Sequence, residues 1–289
     1  MRATCRLVFS LLCCSASWAV AVQRDDVLTA HADRQRTGWF SHESKLTPAL
    51  VAGGKFVKIW ESPELDGFET YPARLYASPL YVDGLAIQAG ERKGKTFRVV
   101  IAATSTGYVY AINAAQANGV APGTILWKTH LDPPCSILRI DANPTGIFGT
   151  PVIDRARKHL YVADCAAGTG FRVYGLDLST GAVLDGWPVA IDEQTLAQPL
   201  VNQNPRIGTT TAAPSRPGRF SIQRGALNLS PDDRYLYATI GQGRGWVLAV
   251  DTQRKSVASA FSITPQEDSS GGVWASTGVS IVPAATSMP

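Results

Sequence analysis

The chain has 289 residues, of which 45% are hydrophobic and 17% charged, a composition typical of a globular protein with a sizeable core. Its formal net charge is +4 at pH 7, and its basic residues are scattered along the sequence. Because nucleic-acid binding requires a concentrated basic stripe, a nucleic acid is not an expected partner.

The first 21 residues have the pattern of a secretory signal peptide. Arg2 and Arg6 precede an apolar run over Leu7–Ala16, and Ala19-Val20-Ala21 matches an A-x-A cleavage site. The apolar run is too short to span a bilayer, and no later stretch approaches the roughly 20 apolar residues of a transmembrane segment. We therefore expect a secreted or periplasmic protein, the alternative being that this run is a buried first strand.

Removal of this signal peptide would decide which cysteines remain in the mature chain. Cys5, Cys13 and Cys14 would leave with the signal peptide, so the mature chain would keep Cys135 and Cys165. A pair of cysteines in an oxidising compartment predicts a disulfide. Two free thiols are the alternative, since pairing requires Cα atoms closer than about 7 Å.

Two segments precede the main body of the sequence. Residues 22–55 are polar and irregular, and we expect a leader packed along the outside of the first sheet. Phe56–Trp60 alternates apolar and polar residues, which predicts a half-buried strand with no hairpin partner before it. Residues 56–289, which include this strand, are expected to form one partial β-propeller.

Three modules of short β-rich runs follow, at about residues 76–131, 149–190 and 224–264. The predicted strands are Ala77–Val82, Val99–Ala103, Tyr108–Ile112 and a run from Ile125 in the first module; Gly149–Asp154, His159–Ala163, Phe171–Asp177 and a segment near Trp187 in the second; and Gly225–Leu229, Tyr235–Thr239, Trp246–Asp251 and Ala260–Ile263 in the third. Turn residues separate the runs, as in an antiparallel meander. One more first strand is predicted at Gly278–Val282.

A short consensus recurs at one place in each module. Tyr110–Asn113, Tyr174–Asp177 and Leu248–Asp251 each contain a small residue, then an aliphatic residue, then Asn or Asp. The small residue allows neighbouring sheets to approach, and the polar residue can bond to its own turn. Four strands in each repeat predict a β-propeller, whereas a two-sheet sandwich would not require the repeat. Closed propellers have about 4 to 8 blades, so three modules predict an open arc.

Residues 192–219, between the second and third modules, are rich in Pro, Thr, Ala and Asn. This composition does not suit a strand. We expect a long loop on one face of the propeller, where binding surfaces are often found.

The motifs, taken in order, resemble exported β-propellers of the pyrroloquinoline-quinone-like repeat class, also described as quinoprotein alcohol dehydrogenase-like. They are Arg36-Thr37-Gly38, Leu46-Thr47-Pro48, Ser78–Val82, Tyr108–Asn113, Gly149–Asp154, Gly245–Ala249 and Gly271–Trp274. The resemblance covers roughly Asp33 to Val282 and implies the propeller fold. It does not by itself imply the quinone, since many such propellers are scaffolds.

In catalytic members, the resemblance implies adjacent cysteines over the quinone, a tryptophan beneath it, and calcium held by carboxylate and amide groups. The adjacent cysteines here, Cys13 and Cys14, lie in the predicted signal peptide. Trp246 and Trp274 are candidates for the tryptophan, although tryptophans in this repeat more often dock neighbouring blades. We therefore expect no cofactor, the alternative being pyrroloquinoline quinone with calcium.

Few other patterns in the sequence point to chemistry. The histidines His31, His42, His130 and His159 lack zinc-site spacing, and no nucleophile elbow or phosphate-binding glycine loop is present. No catalytic residue and no metal ligand is predicted.

Candidate binding residues lie where the first strands would enter the central channel. Arg224, Trp274 and Ser276 are expected at the channel mouth, and Arg139, Asp141 and Asn143 precede the first strand of the second module. An Arg flanked by an aromatic residue and hydroxyl groups can hold a carboxylate or a sugar hydroxyl. The alternative is that Arg224 satisfies backbone carbonyls within the channel.

Two functional classes follow from these observations. The first is a non-catalytic exported scaffold that presents loops to a protein or a glycan, with self-association through open blade faces. The second is a quinone- and calcium-dependent dehydrogenase, or a degenerate remnant of one. The adjacent cysteines, which fall in the predicted signal peptide, favour the first.

Overall fold

The computed structural model describes residues 25–40, 46–138, 143–167, 170–192, 195, 222–241, 245–263, 273 and 275–282. Within these residues almost all regular structure is β-strand, apart from the five-residue helix α1 (Pro48–Ala52) and a 3-10 turn at Gly90–Arg92. No helix in this part of the chain is long and apolar enough to cross a membrane. The predicted signal peptide and nearly all of the predicted loop over residues 192–219 lie outside the described residues.

The first module folds as a four-stranded antiparallel sheet. Its strands, paired in chain order, are β1 (Leu80–Ala86), β2 (Thr96–Ala103), β3 (Tyr108–Asn113) and β4 (Ile125–His130). Gly107 closes the tight turn between β2 and β3 with a φ of +81°. A side chain there would also overlap the carbonyl oxygen of Asp132, so the turn requires glycine.

The other two modules form sheets of the same kind. The second sheet consists of β7 (Val152–Asp154), β8 (His159–Ala166), β9 (Gly170–Asp177) and β10 (Val189–Ile191), and the third of β11 (Asn228–Leu229), β12 (Tyr235–Ile240), β13 (Trp246–Asp251) and β14 (Ser256–Ser262). A small hairpin of β5 (Ile137–Leu138) and β6 (Asn143–Pro144) lies in the connection between the first two sheets. Each large sheet corresponds to one predicted module.

The three sheets stack face to face in chain order. One apolar core joins the first and second sheets and includes Ile101, Val109 and Leu160. Another joins the second and third sheets and includes Tyr161 and Leu236. Consecutive four-stranded sheets packed in this way are blades, so the described residues form a partial β-propeller, and the predicted fold class is confirmed.

The first strands of the three blades lie beside one another. The amide of Ser78, just before β1, donates to Thr150 Oγ1 at 2.9 Å, and the amide of Leu227, just before β11, donates to the carbonyl of Thr150 at 2.9 Å. The amide of Ala226 donates to the carbonyl of Ser276 at 3.1 Å. The first strands β1, β7 and β11 are therefore the inner strands.

Residues 25–38, which we call the strap, run across these inner strands. Val27 and Tyr81 exchange two backbone hydrogen bonds, and the amide of Ile153 donates to the carbonyl of Leu28 at 2.8 Å. Arg36 donates to the carbonyl of Leu227 at 2.8 Å, and burial lowers the pKa of its guanidinium to about 10. The predicted placement outside the first sheet is wrong, because the strap uses its polar groups to satisfy the edges of all three inner strands.

Two predicted strands are absent from the described structure. Phe56–Trp60 belongs to no sheet: Phe56 and Ile59 are 69% and 81% exposed, and Trp60 packs on the outward face of the first sheet. Gly278–Val282 forms no strand either, and the amide of Ile281 bonds to the carbonyl of Arg34 in the strap at 2.8 Å. Both predictions failed because an apolar pattern does not specify a partner strand.

The predicted disulfide between Cys135 and Cys165 is confirmed, with Cα atoms 5.3 Å apart. The amide of Cys135 also donates to the carbonyl of Cys165 at 3.0 Å. The bond therefore fastens the connection between the first two blades to the end of β8.

Candidate functional site

Three equivalent positions, each just before the inner strand of its blade, hold Tyr76, Phe148 and Arg224. The ring centroids of Tyr76 and Phe148 are 4.4 Å apart, and the guanidinium carbon of Arg224 lies 5.6 Å from the centroid of the Tyr76 ring. We call these three residues the mouth. One cationic and two aromatic side chains, from three different blades, thus meet at one end of the inner strands.

Glycines allow the backbones to converge at this point. Gly149 and Gly225 directly follow Phe148 and Arg224, and a Cβ on Gly149 would lie 2.6 Å from the carbonyl oxygen of Gly225. A Cβ on Gly225 would overlap Thr239 Oγ1. A larger residue at Gly149 would push the second and third inner strands apart at the mouth.

The guanidinium of Arg224 has no polar partner among the described residues. Arg224 is partly exposed, and its side chain makes no hydrogen bond or ion pair with any described residue. The guanidinium instead lies over the ring of Tyr76. In the alternative interpretation, Arg224 donates to backbone carbonyls of the channel. No such hydrogen bond is present among the described residues. A cation over an aromatic face keeps its N–H groups free to bind an oxyanion.

The other predicted site residues have different surroundings. Ser276 is exposed and contributes its backbone carbonyl to Ala226. Asn143 is buried on β6, and its Oδ1 has no hydrogen-bond partner among the described residues. Trp274, Arg139 and Asp141 lie outside the described residues.

Sequence reasoning missed Tyr76 and Phe148. The available signal was their register: each precedes a small residue and the start of an inner strand, as Arg224 does. Comparing that one position across the modules would have found both residues.

A buried carboxyl lies between the first and second blades. Asp164, on β8, is fully buried, and neither of its oxygens has a hydrogen-bond partner among the described residues. Burial, and to a smaller degree the charge of Asp132, raises the pKa of Asp164 to about 8. The hydroxyl of Tyr174 donates to Asp132, which also lies 3.5 Å from Arg172. Asp164 is therefore largely a neutral acid at neutral pH.

The quinone and calcium chemistry implied by the resemblance needs adjacent cysteines and a set of metal ligands. The described cysteines, Cys135 and Cys165, are joined to each other and lie 30 residues apart in sequence. In the part of the chain that the structure describes, no group of three or more His, Cys, Asp or Glu side chains could hold a metal ion. Trp246 is packed between the second and third blades. Among the described residues, neither adjacent cysteines nor such a group of three side chains is found.

Neither the family models nor the curated proteins include a match to this chain. Solved structures with partial similarity include a europium-containing methanol dehydrogenase, with 17% identity over 60% of this chain and 32% of that chain and a TM-score of 0.40. They also include BamB from Moraxella catarrhalis, with 15% identity over 61% and 41% of the two chains and a TM-score of 0.30, and the Dos1 propeller, with 16% identity over 59% and 35% and a TM-score of 0.32.

This chain therefore matches 32% to 41% of the length of those structures. The assignment as a partial β-propeller rests on the sheet topology and on the two apolar interfaces between blades.

Proposed function

We propose that the protein is a non-catalytic, exported propeller scaffold that binds a carboxylate group of a protein or glycan partner at its mouth. The observation that carries this proposal is the convergence of Tyr76, Phe148 and Arg224 from three blades, with a guanidinium that has no polar partner among the described residues. The predicted signal peptide supports export.

The chemistry of the mouth favours a carboxylate that is attached to a carbon skeleton. A guanidinium binds a carboxylate through two parallel hydrogen bonds, while aromatic rings pack against the carbon atoms beside it. Arg224 supplies the first contact and Tyr76 the second. A uronic acid and the C-terminus of a peptide both carry this combination.

A binding titration tests the proposal. The full chain is titrated with glucuronate and glucose, and with a short peptide bearing a free or an amidated C-terminus, while intrinsic fluorescence is recorded. We expect binding of at least one carboxylate probe and not of its neutral counterpart. Because charge-assisted hydrogen bonds contribute about 1.5 to 3 kcal/mol, Arg224→Gln should weaken that binding roughly 10- to 100-fold.

The control is Arg254→Gln, an exposed arginine in the turn between β13 and β14, which should bind like the wild type. Equal affinity for charged and neutral probes, or unchanged binding by Arg224→Gln, would contradict the proposal.

An activity assay addresses the enzymatic alternative. The chain is loaded with pyrroloquinoline quinone and calcium and given simple alcohols or aldoses with an artificial electron acceptor. We expect no dye reduction. Turnover that is lost when calcium is removed would contradict the scaffold proposal and indicate a dehydrogenase.

A further inference from the structure

The surface beside the mouth is exposed on the side of the first blade. Residues 74–79, which we call the rim, lead into β1, and the exposed ones are Arg74, Leu75, Ser78 and Pro79. Leu75 is 50% exposed, whereas Ile147 and Gln223, at the equivalent positions before the other two inner strands, are 0% and 4% exposed. Within the described residues, a ligand held at the mouth can therefore extend over the first blade.

Arg74 is held beside the mouth by its backbone. Its amide donates to Ser105 Oγ at 3.3 Å, and its carbonyl accepts from the amide of Ser105 at 2.9 Å, in the turn between β2 and β3. Two residues of chain span at most about 7 Å, so the Cα atom of Arg74 lies no further than this from that of Tyr76. The guanidinium of Arg74 makes no ion pair or hydrogen bond with any described residue. A second arginine without a polar partner thus stands next to the mouth.

Neither arginine is neutralised by a described carboxylate. The described acidic residues that precede Arg74 or lie at the same end of the sheets are Glu64, Asp66, Glu69, Asp132 and Asp164. Asp66 is paired with Lys128, Asp132 lies 3.5 Å from Arg172, and Asp164 is fully buried. The two glutamates form no ion pair with Arg74 or Arg224. Two cations therefore remain for a ligand that carries two anionic groups.

The rim offers side chains to such a ligand more than it offers backbone groups. The amide of Ser78 is used by Thr150 Oγ1, both backbone groups of Arg74 are used by Ser105, and Pro79 has no amide hydrogen. Extended peptides are typically bound through backbone hydrogen bonds along a free edge, which this arrangement does not favour. An acidic oligosaccharide presents carboxylates, hydroxyls and carbon rings, and these are groups that side chains can bind.

We propose that the mouth and the rim together bind an acidic oligosaccharide with carboxylates on adjacent sugars. Arg224 binds the carboxylate of one uronate, and Arg74 binds that of the next. The carbon atoms of the sugar pack against Tyr76, and the exposed Ser78 bonds to a sugar hydroxyl. This inference rests on the proposed binding of a carboxylate at the mouth, and it narrows the ligand from a carboxylate of any partner to a pair of linked uronates.

Calorimetric titration of the full chain with galacturonate, digalacturonate and the dimethyl ester of digalacturonate tests the proposal. We expect digalacturonate to bind about fivefold or more tightly than galacturonate, because an ion pair with an exposed arginine is partly screened by water and salt. The uncharged ester should not show this gain. The comparison of these three probes uses the wild type alone and so does not depend on the folding of any variant.

Arg74→Gln should remove the gain of digalacturonate over galacturonate and leave the affinity for galacturonate unchanged. The control is Arg254→Gln, another exposed arginine, which lies in the turn between β13 and β14 and should keep the gain. Circular dichroism melts establish that both variants are folded. A short peptide that ends in two glutamates is titrated alongside, and we expect no loss of its affinity in Arg74→Gln.

The outcomes separate this inference from the proposed function. If galacturonate binds in a manner that depends on Arg224 but digalacturonate binds no more tightly, or if the gain survives Arg74→Gln, the inference is overturned and carboxylate binding at the mouth stands. An Arg74-dependent gain for the acidic peptide and not for digalacturonate would also overturn it and identify a peptide as the ligand. Absence of binding by every carboxylate probe would contradict both proposals.

Discussion

The two interfaces between blades are built by equivalent strands but differ in polarity. The interface of the second and third blades is apolar and contains the fully buried Trp246 beside Tyr161 and Leu236. The interface of the first and second blades has an apolar core as well, but it also encloses Asp164, and Tyr174 bonds there to Asp132.

One strand, β8, serves both interfaces. Leu160 and Val162 face the first blade, and Asp164 continues that side of the strand, while Tyr161, Ala163 and Cys165 belong to the core shared with the third blade. Alternation along a single strand thus places a buried carboxyl at one interface and aliphatic and aromatic side chains at the other. The stability of the first interface should depend on pH, and that of the second on packing.

The largest effect is expected from removing Trp246 from the apolar interface. Trp246→Ala should lower the free energy of unfolding by about 3 to 5 kcal/mol, because it leaves a cavity that two rigid sheets cannot close. Chemical denaturation measures the loss. Trp39→Ala, which removes a side chain that is 75% exposed, should change stability by less than about 0.5 kcal/mol. Similar losses for the two variants would show that the second interface is not a packed core.

The next effect concerns the disulfide beside β8. Replacing Cys135 and Cys165 together by Ala should lower the free energy of unfolding by about 3 to 4 kcal/mol, since a loop of 30 residues in sequence regains its freedom in the unfolded chain. Denaturation with and without a reducing agent measures this loss. The double variant is its own control, because reducing agent should not affect it further. Two free thiols in peptide maps of unreduced protein would contradict the prediction.

A further effect, smaller for each pH unit than the two losses above, should distinguish the first interface through pH. The pKa of Asp164 is raised by burial to about 8 from an ordinary value of 3.8, so between these values the folded protein holds a proton that the unfolded chain releases. Stability from this group is therefore present at low pH and falls by about 1.4 kcal/mol for each unit that pH rises through this range.

Asp164→Asn should remove that pH dependence, as measured by denaturation at pH 5, 6, 7 and 8. Asp232→Asn, an exposed turn residue, should retain it. If the slopes of wild type and Asp164→Asn were the same, the buried carboxyl would not be the source.

Local patterns in the sequence predicted the blades well. The β-rich runs and the tight turn at Gly107 are properties of neighbouring residues, and strands β3 and β13 begin where predicted. The strap could not be predicted in the same way, because Arg36 finds its acceptor, the carbonyl of Leu227, 191 residues further along the chain. The prediction of a strand at Phe56–Trp60 failed for a related reason. Its alternation of apolar and polar residues specifies the two faces of a strand but not the neighbouring strand.

The candidate sites show the same limit. Arg224 stood out in the sequence because of its position, but its contact with Tyr76 depends on how three inner strands are placed. Basic residues in the hairpin turns, such as Lys93, Lys158 and Arg254, are scattered in the sequence because the turns belong to different blades. Composition and net charge do not indicate which of these turns the fold brings together.

The smallest expected effect tests the polar part of the first interface. Tyr174→Phe removes the hydroxyl that donates to Asp132 and should cost about 1 kcal/mol, the usual net value of one hydrogen bond, provided that Arg172 continues to neutralise Asp132. Tyr235→Phe is the matched control, since the hydroxyl of Tyr235 has no hydrogen-bond partner among the described residues, and it should change stability by less than about 0.5 kcal/mol. Denaturation of both variants at pH 7 gives the difference. A loss of several kcal/mol for Tyr174→Phe would mean that Asp132 is left as an uncompensated charge, whereas no loss would mean that water replaces the hydroxyl and that the interface is open to solvent at this end.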